Sequence, residues 1–106
     1  MPKYLIQANY VGEGVKGLFK EGGTSRRAAA EKVLKSVGGS LEAFYYAFGE
    51  TDAFVIADVP DNSSMAAIAL TISATGAVTV KTTVLMTPEE VDEAAKKSPS
   101  YRPPGQ

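Results

Sequence analysis

Nineteen consecutive residues, Asn62 to Val80, carry no charged side chain. A helix that faces water on one side normally shows charge there. Here the segment reads as a helix around Met65 to Ala74 that runs through Gly76 into a strand from Ala77. Only Ser, Thr and Ala stand opposite its large apolar residues. Part of the outer face is therefore expected to be covered, most simply by another copy of the chain. The stretch has the length of a membrane span. Three Ser, three Thr, one Asn and the helix-breaking Gly76 argue against that reading.

Elsewhere, the periodicities define a compact order. Lys3 to Tyr10 alternates Tyr4, Ile6, Ala8 and Tyr10 against Lys3, Leu5, Gln7 and Asn9, a strand pattern. Val15, Leu18 and Phe19 make a short helical turn closed by Gly22-Gly23. Thr24 is the expected N-cap of a helix from Ser25 to Val37, with an apolar stripe of Ala29, Ala30, Val33, Leu34 and Val37, ended by Gly38-Gly39. Ser40 to Phe48 and Ala53 to Val59 are strands joined by the hairpin Gly49-Glu50-Thr51-Asp52. Phe48 is expected opposite Ala53 or, with a bulge, Phe54, so the facing of this strand stays open, because one residue of slip reverses every side chain. After the Val- and Thr-rich fourth strand, Thr87-Pro88-Glu89-Glu90 fits a capping box for a last short helix.

The order βαββαβ plus a terminal helix is the α+β, ferredoxin-like arrangement. Right-handed crossovers place the first and third strands centrally, with both main helices on one face of the sheet. The other face then carries Leu5, Gln7, Asn9, Phe54, Ile56, Asp58, Thr79, Lys81, Thr83 and Leu85. That mixture suits a dimer interface or the wall of a cavity. One domain is expected over residues 1–97, followed by an extended Pro-rich arm over 98–106.

Composition excludes several kinds of chemistry. With no Cys and no His, there is no disulfide, no Ser-His or Cys-His dyad, and neither of the usual soft or imidazole metal ligands. The acidic group Glu89, Glu90, Asp92 and Glu93 is explained as a helix start, so no metal and no cofactor are expected. A net charge of −1 with dispersed basic residues offers no footprint for nucleic acid or a membrane surface. The start, Met1-Pro2-Lys3-Tyr4, leads into a strand rather than a signal peptide, and a cytoplasmic location is expected.

Tyr10 and Tyr45 are candidate ligand-binding hydroxyls, with Tyr46 beside them. Arg26 and Arg27, in the first turn after Gly22-Gly23-Thr24, suggest an anion site. Lys81 sits in an otherwise uncharged strand and needs a carboxylate, a ligand or a solvent path, with Glu42 and Asp58 as candidate partners. Glu42 completes the candidate set.

Taken together, Tyr10, Gly14-Val15-Lys16-Gly17-Leu18, Lys20-Glu21-Gly22-Gly23-Thr24, Arg26-Arg27-Ala28-Ala29, Leu41-Glu42-Ala43-Phe44-Tyr45, Gly49-Glu50-Thr51-Asp52 and Thr87-Pro88-Glu89-Glu90 resemble the GYD domain family of small bacterial proteins. The resemblance covers almost the whole chain. It implies a ferredoxin-like fold of the dimeric α+β barrel type and no particular reaction. The motif that names the family has Gly, Tyr, Asp; here Thr51 stands at the aromatic position, which favours a turn role for the motif, with Asp52 bonding turn backbone. The expected function is a homo-oligomeric, non-catalytic domain that binds a small molecule. The alternatives are a cofactor-independent enzyme of the monooxygenase or isomerase kind, using Tyr10, Tyr45, Lys81 and Glu42, and a pure interaction module.

Overall fold

A computed structural model describes residues 1–106. Its elements are β1 (Lys3–Tyr10), α1 (Glu13–Glu21), α2 (Gly23–Ser36), β2 (Ser40–Tyr46), β3 (Ala53–Asp58), α3 (Asn62–Ala74), β4 (Val78–Leu85) and α4 (Pro88–Lys97). The four strands form one antiparallel sheet in the order β2-β3-β1-β4. This is the α+β, ferredoxin-like architecture that the pattern predicts.

Alternation along the central strands decides what is buried. Tyr4 and Ile6 of β1 lie beside Ala57 and Val55 of β3, and all four face the helices. Leu34 of α2 and Met65 and Ile68 of α3 close over them, with Val59 completing the core. Thr82 and Val80 continue this face on β4, opposite Ile6 and Ala8. The reverse face pairs Leu5 with Ile56 and Thr83, and Gln7 with Phe54 and Lys81. Its side chains are half-buried or exposed, and none belongs to the core.

The hairpin settles the facing of β2. Tyr46, not Phe48, lies opposite Ala53. The Ala47 N–H donates to the Asp52 carbonyl at 2.8 Å, which confines Phe48 to Thr51 to the loop. Phe48 leaves the strand and is fully exposed. A bulge does occur, but between Leu41 and Ala43. Phe44 and Tyr46 consequently face the helices, with ring centroids 5.1 Å apart, while Tyr45 faces the other way.

The start of α2 also departs from expectation. Thr24 does not cap it; the helix begins at Gly23, with Gly22 at the cap position and no side-chain cap. Gly22 has φ 85° and its N–H donates to the Leu18 carbonyl, so α1 and α2 are joined through a single left-handed residue. No room is left for a separate capping turn. At the other end Gly38, with φ 81°, takes the left-handed position, and the N–H groups of Gly39 and Gly38 donate to Leu34 and Lys35 at 2.8 and 3.0 Å. This is a Schellman closure, which glycine permits without Cβ strain.

Asp61 caps α3, its carboxylate accepting the Ser64 N–H at 2.8 Å; hydrogen bonding from Ser64, the side-chain hydroxyl first and the backbone N–H second, holds its pKa below the ordinary value. The outward side of α3 presents Ala66, Ala67, Leu70 and Thr71 to solvent in the single chain. Thr87 and Glu90 form the predicted reciprocal capping box, at 3.1 and 3.0 Å. No residue of α4 is buried, and residues 98–106 form neither helix nor strand. The radius of gyration is 16.9 Å and the long axis 57 Å. A compact chain of this size has a radius of about 13 Å, so the molecule is elongated. No helix is long and apolar enough to cross a membrane.

Candidate functional site

The last inward residue of β1 is Tyr10, and three hollows meet at its side chain. One is an apolar cavity of about 180 Å³ between the sheet and helices α2 and α3, lined among others by Ala8, Ala30, Phe44, Ile72 and Val80. Arg26 is its one charged lining residue. The second is an open cleft of about 630 Å³ at the end of the sheet, walled by Val15, Leu18 and Phe19 of α1, Tyr46 of β2 and Phe48 of the hairpin. A third hollow, of about 310 Å³, holds Glu13, Glu21 and Arg26 beside Ile72 and Val78. Ligand pockets are mostly apolar, with a few placed polar groups. The first two hollows have that composition.

Backbone bonding fixes Tyr10. The Asp52 carboxylate accepts the Tyr10 N–H at 3.0 Å. The Asp52 N–H donates in turn to the Ala8 carbonyl at 3.1 Å and to the Asn9 side-chain oxygen at 2.9 Å. The Asp52 carboxylate therefore bonds the neighbouring strand, not turn backbone as expected, while its carbonyl closes the hairpin. Thr51, at the family's aromatic position, accepts from the Gln7 side-chain amide at 3.4 Å.

Tyr46 closes the cleft by donating its hydroxyl to the Gly23 carbonyl at 3.0 Å, tying β2 to the start of α2. Burial first, and the adjacent Tyr10 second, push its pKa from 10.0 up to about 12. A phenol whose folded pKa is raised favours the folded state in its neutral form. The contribution is complete below about pH 10 and disappears as pH rises through about 12. Alkaline unfolding followed by phenolate absorbance is therefore expected to steepen in that window, and Tyr46→Phe to remove this component.

The candidate residues divide across the sheet. Tyr10 and Arg26 come together at the inner cavity. Arg26 also pairs with Glu21 at 3.3 Å. Arg27 turns away to an exposed pair with Glu31 at 3.9 Å. Glu42, Tyr45 and Lys81 belong to the opposite side: Tyr45 is 71% exposed, and Lys81 stands beside Gln7 with no ion pair. The carboxylates expected for Lys81 are held by Lys3 instead, which bonds Glu42 and lies 3.0 Å from Asp58. The reason is register: Lys3 is directly opposite Asp58, whereas Lys81 is opposite Gln7. Those two bonds raise the Lys3 pKa. Within one copy the four residues considered for an enzyme, Tyr10, Tyr45, Lys81 and Glu42, do not converge.

Phe19, Phe48 and Asp52 were not singled out as site residues by the sequence. Their signal is topological, since α1 and the hairpin reach the same end of the sheet only once the strand order is known.

These features define a class: a small ferredoxin-like α+β domain with an apolar cleft at one end of its sheet. The family model of the GYD domain matches residues 4–95, nearly the whole length, and the chain belongs to that family. No curated protein and no solved structure matches it.

Proposed function

We propose that this protein is a homo-oligomeric, non-catalytic domain that binds a small, largely apolar organic molecule at Tyr10. The carrying observation is that the inner cavity and the open cleft meet at this residue, with apolar walls and few polar groups. Phe19 and Phe48 flank the cleft at 88% and 108% exposure, aromatic surface that a ligand would remove from water. General acid–base work requires a group titrating near the working pH. The Tyr46 phenol is moved away from that range and the Asp52 carboxylate is engaged by backbone, which supports binding rather than turnover. Association of copies is supported by the uncovered sheet face and by the uncharged, exposed side of α3.

Native mass spectrometry of the protein purified from its own cells reports subunit number and carried ligand together. The expected spectrum shows an oligomer with a small organic adduct. Ala30→Phe, which fills the inner cavity, is expected to abolish the adduct and the uptake of an apolar dye while leaving the subunit number unchanged. Equal dye uptake by parent and variant, with no adduct on either, would refute the binding reading.

A further inference from the structure

The inner cavity exists because small side chains meet there. Ala8 and Ala53 are paired across β1 and β3, and Ala29 and Ala30 line the same space from α2, so sheet and helix do not fill the gap between them. One helical turn later Leu34 restores contact and is buried. The space measures about 180 Å³. An apolar cavity of about 150 Å³ stays dry and takes up benzene. The body of an occupant here therefore has the bulk of one ring.

Apart from Tyr10 and Arg26, every side chain of the wall is a hydrocarbon. A charge beside an apolar wall calls for a counter-charge. Glu21 supplies one, but only through Arg26 Nη1 at 3.3 Å, with the two side chains 33% and 47% exposed. Single-contact pairs of this exposure are weak, and Glu21 can return to water when displaced. A guanidinium carries five N–H donors in a fork that fits a carboxylate bidentately. Arg26 makes no second side-chain bond, so most of that fork is unused.

Arg26 borders both the inner cavity and the third hollow, where it is the one cation beside Glu13 and Glu21. Glu13 is itself paired with Lys16 at 3.2 Å. Neither carboxylate lines the inner cavity, so a head group on a body held inside it meets Arg26 first. The two nearby carboxylates disfavour a doubly charged head such as a phosphate. A single negative charge matches the single guanidinium.

We infer that the ligand of the Tyr10 site is a small monocarboxylate, with a ring-sized apolar body in the inner cavity and its carboxylate replacing Glu21 on Arg26. The inference rests on the binding reading above and adds the head group to it.

The test measures binding of three probes of similar size to the full-length protein by calorimetry at neutral pH. They are phenylacetate, phenylacetamide and phenethylamine, which are anionic, neutral and cationic. Phenylacetate is expected to bind about tenfold more tightly than either of the others, the effect of one charge-assisted pair. Arg26→Met is expected to erase that preference. Glu21→Gln, which frees the guanidinium of its internal carboxylate, is expected to tighten phenylacetate severalfold, and it decides the matter alone if Arg26→Met does not fold. Equal affinity for the three probes, a preference for the amide or the amine, a preference that survives Arg26→Met, or no gain in Glu21→Gln overturns the head group and leaves the apolar pocket standing. Binding of none of the three also overturns it; if the parent and Ala30→Phe then take up an apolar dye equally, the binding reading falls with it.

Discussion

Gly14→Ala is expected to destabilise the fold by about 3 kcal/mol, at the upper end of the usual cost of overpacking. A Cβ on Gly14 would stand 2.0 Å from the carbonyl oxygen of Ala77 and 2.8 Å from its carbon. Both are backbone atoms, and the same carbonyl accepts the Val11 N–H at 2.9 Å, so it cannot step aside without breaking the junction between β1 and the start of β4. The alternative is for α1 to lift, which moves Val15, Leu18 and Phe19 and opens the cleft at Tyr10. Gly17, three residues later in the same helix, is the control. A Cβ there meets nothing within 4 Å, and Gly17→Ala is expected to stabilise by about 0.5–1 kcal/mol through helix propensity alone. Urea melts of the two variants should move in opposite directions. A Gly14→Ala midpoint no lower than that of Gly17→Ala would show that α1 does not rest on Ala77.

The contrast between these two glycines shows how far the sequence carries. Both lie in one short amphipathic segment, and nothing local separates them; the difference comes from Ala77, which is distant in the chain. Features whose physics is local were legible: the strand alternation from Lys3 to Tyr10, the Gly38-Gly39 helix end and the Thr87–Glu90 capping box are each complete within a few residues. From them followed the strand order and the two faces of the central strands, because inward and outward sets cannot be exchanged without burying the wrong side. The facing of β2 was not legible. Loop closure at Ala47 and Asp52, and a bulge near Glu42, are both compatible with the local pattern, and only pairing with β3 selects them. The start of α2 was misplaced for a related reason, since Thr24 is a good cap in isolation but α1 delivers the chain one residue past Gly22 already in helical geometry. At the site, Tyr10 and Arg26 could be named individually. Their convergence with Tyr46, Phe19 and Phe48 depends on tertiary contacts that no spacing encodes.

Asp52→Ala tests one of those long-range contacts and is expected to cost about 1.5–3 kcal/mol, the range for losing a hydrogen bond to a charged group. Asp52 and Tyr10 are 42 residues apart in the chain. Alanine leaves the part-buried Tyr10 N–H without its acceptor, while the main-chain bonds of residue 52 to Ala8 and Asn9 can persist. The hairpin should therefore stay paired to β3 and lose its grip on the end of β1. Asp52→Asn keeps an acceptor oxygen but not the charge, so it retains a neutral bond worth about 0.5–1.5 kcal/mol and is expected to cost correspondingly less than Asp52→Ala. Uptake of an apolar dye separates stability from site geometry. If the carboxylate serves to hold Tyr10 at the meeting point of the two hollows, Asp52→Ala weakens uptake at temperatures where the variant is still fully folded, and Asp52→Asn largely restores it. If both variants bind as the parent does, the aspartate only secures the hairpin, and the placement of Tyr10 must come from the flanking pairs of β1 with Ala53 and Val78 instead.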